Sequence, residues 1–279
     1  MKYFKQFLDD DGYIYSLDMV RLNIDFGHLS EEFIRYMEKL SAYDLAVDVQ
    51  YFSSFKPFQY RHLWTVSFPD QEISFALGLD INGSSENRNK GFMEFNPNKC
   101  ENCEKFVEIK NMIFSLSCVR DLVRYDLAID IPLDRKDVKL IRTKGKNYQF
   151  FVKDDGITEY LGVRSHSGYI KVYDKQQEAK LNYPCTRIEI TLDSAADYVK
   201  AFPKVWLYDT QYHLLLDDSL SDTQKTLIKC LRQCENPNWF LGDLNYRIKK
   251  KIEPYLADKV LSLHSQSALN VKMLALSYT

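Results

Sequence analysis

The sequence predicts an α+β protein with a mostly antiparallel sheet, several helices and an α-helical C-terminal region. Segments that alternate apolar and polar residues recur through the first two-thirds of the chain, which is typical of strands. Helical spacing interrupts them, and it dominates from Ser194 onward. With 279 residues, 45% of them hydrophobic, the chain can build a substantial core. We expect a first domain over 1–200 and a helical region over 201–279.

The N-terminal elements alternate between strands and helices. Strands are predicted over 16–26, twice between 63 and 80, and over 91–99, and helices over 28–42 and 100–117. Pro69 and Asp70 provide the turn between the paired strands, and Pro97 ends the last strand.

The second half of the chain carries the strongest alternation. Residues 123–131 form one clear strand, and four more strand candidates lie between 147 and 192. The tail then predicts a helix over 218–234 and two more within 241–276, separated near Pro254.

Composition limits the possible partners and the compartment. A net charge of −2 excludes binding of duplex DNA through overall charge, so any such contact needs local basic patches. The N-terminus lacks the apolar run of a signal peptide, and no stretch reaches 18 apolar residues. We therefore expect a cytoplasmic protein with no membrane contact. Aromatic residues make up 14%, which favours core packing but also supplies rings for stacking on unpaired bases.

Two strands carry acidic and basic residues at alternating positions. In VRYDLAIDI (123–131), Arg124, Asp126 and Asp130 share one face, and in TRIEITL (186–192) Arg187 and Glu189 do the same. If the two strands are neighbours, their carboxylates converge, and carboxylate oxygens suit Mg²⁺ or Mn²⁺. The alternative is a pair of solvated, salt-bridged faces.

The stretch IKVYDKQQE (170–178) raises a similar choice. On a strand, Lys171, Tyr173 and Lys175 would share a face, and two cations beside a phenol favour its use as a nucleophile toward phosphate. Taken alone, the stretch is better explained as an edge strand whose lysines discourage aggregation. Glu94, on the strand that ends at Pro97, is a further candidate site carboxylate.

Four segments in order resemble the replication initiators of small rolling-circle plasmids of Gram-positive bacteria, the Rep-trans type. They are MEFNPNK (93–99), VRYDLAID (123–130), EYLGVRSHSGYIKVYDKQQE (159–178) and TRIEITL (186–192). A looser similarity extends over 238–256. The family often has arginine at the position of Lys171 and asparagine at that of Asp174, and both departures are mild.

The resemblance implies a site-specific endonuclease and strand transferase. Tyr173 would attack one DNA strand and form a 5′-phosphotyrosine, assisted by Lys171 and Lys175. The metal, Mg²⁺ or Mn²⁺, would be held by Asp126, with further acidic positions matching the pattern at Glu94, Asp130, Glu178 and Glu189. Residues 1–200 would then be the nicking domain, and 201–279 would contribute origin recognition.

The resemblance also implies partners. The basic residues expected to contact origin DNA are Arg247, Lys249, Lys250, Lys251, Arg124 and Arg187. A host helicase and polymerase would act with the protein, and a homodimer is expected. A conjugative relaxase with the same chemistry and a non-catalytic DNA-binding regulator are the alternatives.

Overall fold

A computed structural model describes most of the chain. The described residues are 5–44, 46–53, 60–71, 73–81, 89–153, 156–164, 166–194, 204–208, 219–261 and 265–279. Their strands are β1 Gln6–Leu8, β2 Ile14–Asp25, β3 Asp48–Ser53, β4 Tyr60–Phe68, β5 Ile73–Ile81, β6 Lys90–Phe95, β7 Val119–Ile131, β8 Val138–Ile141, β9 Tyr148–Lys153, β10 Gly156–Leu161, β11 Ile170–Asp174, β12 Thr186–Asp193, β13 Lys204–Leu207 and β14 Lys259–Val260.

The α-helices of the described residues are mostly short. They are α1 Ser30–Tyr43, α2 Pro97–Cys100, α3 Glu104–Ser115, α4 Lys175–Ala179, α5 Asp222–Gln233, α6 Asn238–Leu241, α7 Tyr246–Ile252 and α8 Gln266–Leu276. The break predicted near Pro254 is confirmed, because a 3₁₀ turn over Glu253–Tyr255 follows α7. None of these helices combines the length and apolar character that crossing a bilayer requires.

One large antiparallel sheet dominates the architecture. Its strand order is β3-β4-β5-β6-β2-β7-β12-β11-β10-β9, with β1 paired to β2 outside this path. One face is covered by helices and holds the main core, in which Tyr15, Leu127 and Ile188 are completely buried. The predicted α+β class with a mostly antiparallel sheet is confirmed.

A second, smaller sheet joins the middle of the chain to its tail. It contains β14, β13 and β8 in that order, and its Trp206 packs into a second core with Ile228 of α5 and Ile252 of α7. The expectation of a purely helical tail is therefore wrong for β13 and β14. Both are short strands that gain hydrogen bonds from a neighbour, which local periodicity cannot reveal.

The last helix belongs to the main core. Ala268, Val271 and Ala275 of α8 are buried together with residues of the large sheet, and the Ser267 hydroxyl donates to the Leu8 carbonyl at 3.1 Å. Residues after 200 thus contribute to two cores. The predicted domain boundary between residues 200 and 201 stays a prediction.

Candidate active site

The two acid-bearing strands are neighbours in the sheet. β7 and β12 pair antiparallel, with Arg187 opposite Asp130 and Thr191 opposite Asp126. β11 adds the next strand, on which Lys171 lies opposite Glu189. The convergence predicted from alternation is therefore present, and all of these side chains share the face that the helices leave uncovered.

Tyr173 is hydrogen-bonded to a carboxylate on the adjacent strand. Its hydroxyl donates to Glu189 Oε1 at 2.7 Å, and the Lys171 ammonium lies 3.9 Å from the centre of its ring. Tyr173 is only 7% exposed. Burial, reinforced by the negative charge of Glu189, raises the pKa of the phenol well above its ordinary value, so the proton stays on Tyr173 until a base removes it.

Glu189 is suited to accept that proton. Burial raises its pKa above the ordinary value of a glutamate, and the nearby charge of Asp18 raises it further, while Lys171 opposes both effects. Its second oxygen, Oε2, lies 3.7 Å from the Lys171 ammonium. The carboxylate thus has a tyrosine on one oxygen and a lysine near the other.

Arg187 lies deeper in the same face and is held by two aspartates. Its Nε donates to Asp130 Oδ1 at 2.6 Å and its Nη2 to Asp130 Oδ2 at 2.7 Å, while Nη1 lies 3.4 Å from Asp18 Oδ1. The guanidinium is 3% exposed and therefore does not reach DNA, contrary to the expectation from sequence. It fixes a positive charge beneath the Tyr173–Glu189 pair instead.

One carboxylate oxygen of Asp126 has no hydrogen-bond partner among the described residues. Oδ1 is buried and accepts no hydrogen bond from the described residues. Burial raises the pKa of Asp126 to about 6, an effect that a hydrogen bond from Thr191 opposes and the charges of Asp18 and Glu189 strengthen. A buried carboxylate oxygen left open in this way suits a cation supplied from outside the chain.

The other carboxylates predicted as metal ligands are paired with basic side chains of the protein. Glu94 Oε2 accepts from Arg21 Nη1 at 2.9 Å and Arg124 Nη2 at 3.1 Å. Glu178 is paired with the ammonium of Lys175, and Asp130 with Arg187 as described above. Among the five carboxylates predicted as ligands, Asp126 is the one with a buried oxygen that accepts no hydrogen bond from the described residues.

Lys175 is not on the strand face on which the sequence placed it. β11 ends at Asp174, whose side chain accepts from the Gln177 backbone N–H at 2.9 Å and so caps α4. Lys175 is the first residue of that helix and is almost fully buried. Its ammonium still lies 6.0 Å from the centre of the Tyr173 ring.

Asp18 is a site residue that the sequence analysis missed. The register of β2 against β7 shifts between Leu17 and Met19, so Asp18 occupies a β-bulge. Its Oδ1 also accepts from the Asn96 amide at 3.2 Å. The sequence does contain a signal: the buried positions change from odd (Tyr15, Leu17) to even numbers (Val20 onward), as one extra residue requires.

A groove of about 780 Å³ runs across this face. Asp126, Glu94 and Glu189 lie on its wall at one end, and the groove continues over β11 and β10 to the edge strand β9. Lys171 is part of its wall, so the side chain that covers the Tyr173 ring is itself reachable from the groove.

The donor set fits a hard divalent cation in part. No group of three His, Cys, Asp or Glu side chains within the described ranges is spaced to enclose an ion. Mg²⁺ is, however, commonly held by one or two carboxylates, water and substrate phosphate. Asp126, with its unpaired oxygen, and Glu189 on the neighbouring strand β12 match that open type of site.

The predicted basic segment forms the short helix α7. Arg247 and Lys250 are exposed, Lys249 is half-buried, and the Lys251 ammonium donates to the Ser219 carbonyl at 2.8 Å. Arg124 lies apart from them, on the groove wall beside Glu94. The structure thus separates the basic residues into one helix and one groove position.

Comparison with known proteins points in one direction. The chain is 32% identical over 104 residues to a Replication initiation protein of Staphylococcus aureus, which is 37% of this chain and 33% of the relative. A second Replication initiation protein of the same organism is 34% identical over 92 residues, which is 32% of this chain and 29% of that protein. The matches thus span about a third of the length of these relatives.

No family model matches the chain. A solved structure of the rolling circle replication initiator protein from Geobacillus stearothermophilus aligns with 80% of this chain and 85% of that chain, at 16% identity and a TM-score of 0.39. The sequence relatives agree with the resemblance indicated by the motifs: over about a third of their length, this chain is similar to replication initiation proteins.

Proposed function

We propose that the protein is a rolling-circle replication initiator that nicks and rejoins one strand of its origin DNA through Tyr173. The observation that carries this proposal is the 2.7 Å hydrogen bond from the Tyr173 hydroxyl to Glu189, next to a buried aspartate with an open oxygen. A tyrosine that serves packing alone does not require two carboxylates and a lysine around it.

In the proposed reaction, Tyr173 Oη attacks the scissile phosphorus while its proton passes to Glu189 Oε1. The new bond joins the tyrosine to the 5′ side of the nick, and the bond from phosphorus to the 3′ oxygen breaks. That oxygen takes up a proton to become a free 3′-hydroxyl, which can prime a polymerase. One phosphoester replaces another, so the step is reversible and allows rejoining.

The surrounding cations would stabilise the charge that develops in this step. Lys171 lies over the Tyr173 ring and is part of the groove wall. Its ammonium can therefore stabilise negative charge first on the phenolate and then on the phosphate. Arg187 offsets the phenolate from below, fixed by its bidentate pair with Asp130. A Mg²⁺ or Mn²⁺ held by Asp126 and Glu189 would add Lewis-acid polarisation of the phosphate.

The test is covalent capture of a single-stranded oligonucleotide carrying a candidate origin nick site. Wild-type protein with Mn²⁺ should form an adduct that survives denaturing electrophoresis, with the modification mapping to Tyr173. Tyr173→Phe should lose the adduct completely and keep binding to origin duplex. Tyr183→Phe, which changes an exposed tyrosine outside the site, is the matched control and should react normally.

Two results would overturn the proposal. One is a wild-type protein that binds origin duplex and never forms an adduct, which would identify a non-catalytic DNA-binding regulator. The other is an adduct that persists in Tyr173→Phe, which would place the nucleophile elsewhere. An adduct formed with a transfer origin in preference to a replication origin would favour the conjugative relaxase.

A further inference from the structure

Three aromatic rings form a row within the groove. The Tyr169 and Tyr160 rings are 6.1 Å apart at an interplanar angle of 17°, and Phe151 meets Tyr160 edge-on at 5.8 Å. All three belong to the groove wall. The row, Tyr169–Tyr160–Phe151, is called the ring ladder below.

The strand register connects the ring ladder to the proposed reaction centre. Tyr160 lies opposite Lys171 on β11, and Lys171 lies opposite Glu189 on β12. Four interstrand spacings of about 4.8 Å each separate β7 from β9, so the ladder leads away from Asp126 over roughly 19 Å of sheet surface. The ladder therefore begins beside the scissile position and ends at the sheet edge.

The ladder is only partly covered by the rest of the protein. Phe151 is 44% exposed, and both tyrosines are half-buried. Cross-strand pairing accounts for contact between rings on neighbouring strands, but it gains nothing from leaving their outer faces in an open groove. A row of partly exposed aromatic rings on a sheet is an arrangement with which proteins stack unpaired bases.

The charges along the ladder suit a phosphodiester backbone. Lys153, at the end of β9, and Arg164, which follows β10, are exposed groove residues at opposite ends of these two strands, and Lys171 lies on the neighbouring strand β11. Asn147 and Gln149 add neutral polar groups there. Cations that follow a backbone beside rings that contact its bases form the usual combination in single-strand binding proteins.

We propose that the ring ladder holds the unpaired DNA strand on one side of the nick, with successive bases stacked on Tyr169, Tyr160 and Phe151. This inference rests on the proposed function, since the strand is the one presented to Tyr173. Paired bases bury their faces against their neighbours in the duplex, so the ladder selects strands that are already open.

The proposal is tested by binding of a fluorescent oligothymidylate, with a duplex of the same length as competitor. Tyr160→Ala and Phe151→Ala should each weaken single-strand binding at least about fivefold, the lower end of the loss on removing a stacked ring. Tyr160→Phe should bind like the wild type, because it keeps the ring. The matched control is Phe150→Ala, which changes the neighbouring ring on the opposite face of β9.

Photocrosslinking locates the strand directly. Halogenated deoxyuridine in the oligonucleotide should attach to residues of the ring ladder, and thermal melts of each variant establish that it is folded. Unchanged affinity in folded Tyr160→Ala and Phe151→Ala proteins, absence of wild-type binding, or crosslinks confined to α7 would each overturn the inference.

The two proposals fail separately. If the ladder variants bind single strands normally and Tyr173 still forms its adduct, the ladder assignment is wrong and the nicking function stands. If the variants lose single-strand binding while the wild type forms no adduct, the ladder binds DNA in a protein that does not cut it.

Discussion

Asp126 shows how one residue can favour function at the expense of stability. Its pKa of about 6 lies above the ordinary value of 3.8, so the folded protein binds this proton more tightly than the unfolded chain does. Ionised Asp126 therefore destabilises the fold above pH 6. The cost fades as the pH falls from 6 toward 4, and is absent below that range.

Asp126→Asn is expected to stabilise the metal-free protein while abolishing adduct formation. At pH 7 the gain should approach about 3 kcal/mol, since each tenfold change in proton affinity corresponds to about 1.4 kcal/mol. At pH 4 the gain should vanish. Urea denaturation in a chelating buffer at both pH values measures this difference. Equal stability of the two proteins at pH 7 would contradict the assignment of a buried, ionised carboxylate.

Sequence alone predicted that several residues of the candidate site share converging faces, but not which partners they bind. Alternation in β7 and β12 placed Asp126, Asp130, Arg187 and Glu189 on converging faces, because the strand period is fixed by backbone geometry. It could not determine that Asp130 would form a salt bridge with Arg187. Nor could it determine that Glu94 would pair with two arginines. Those pairings depend on register between strands far apart in the chain.

At the scale of elements, the transition from β11 to α4 places the lysines around Tyr173. Asp174 ends the strand and caps the helix, so Lys175 belongs to the helix and not to the strand. Asparagine, often found at this position in the resembling family, caps a helix as well as aspartate does. That equivalence explains why this departure from the family pattern is mild.

Asp174→Ala is expected to destabilise the protein by about 1 kcal/mol, the usual loss of an N-cap. Asp174→Asn should stay within a few tenths of the wild type. Because the cap fixes the start of α4, the alanine variant should also slow adduct formation by displacing Lys175 from the Tyr173 ring. Urea denaturation measures the loss of stability, and single-turnover nicking measures the rate of adduct formation. An Asp174→Ala protein that reacts slowly but is as stable as the wild type would show that the two effects are independent.

The bulge in β2 marks the limit of reading strands as simple alternation. The apolar positions before and after Asp18 both face the core, although they belong to different phases of the pattern. A strict period of two would assign one half of β2 to the wrong face. The phase change is visible in the sequence. Its consequence, that the Asp18 carboxylate points toward Glu189, depends on the neighbouring strands.

For the whole molecule, charge is concentrated in small areas of a nearly neutral chain. With a net charge of −2, the protein cannot rely on its overall field to attract DNA. The exposed Arg247 and Lys250 of α7 therefore have a disproportionate part in the proposed recognition of origin duplex.

Replacing Arg247, Lys249 and Lys250 by alanine should weaken binding to origin duplex and flatten its salt dependence. Each lost phosphate contact should reduce the slope of log affinity against log salt by about 0.9. Covalent capture of a single-stranded oligonucleotide should be unaffected. Salt titrations by fluorescence anisotropy measure this, with alanine at the exposed Lys39 and Lys229 as the control. An unchanged slope would show that α7 does not touch the duplex.

The position of β11 in the sheet has a mechanical consequence. DNA attached to Tyr173 would transmit any pull from an advancing helicase to this strand. β11 is hydrogen-bonded along both sides, to β10 and to β12, and α4 follows directly at its end. Two rows of interstrand hydrogen bonds would therefore share the load, and both would have to break before the attached strand could be peeled from the sheet.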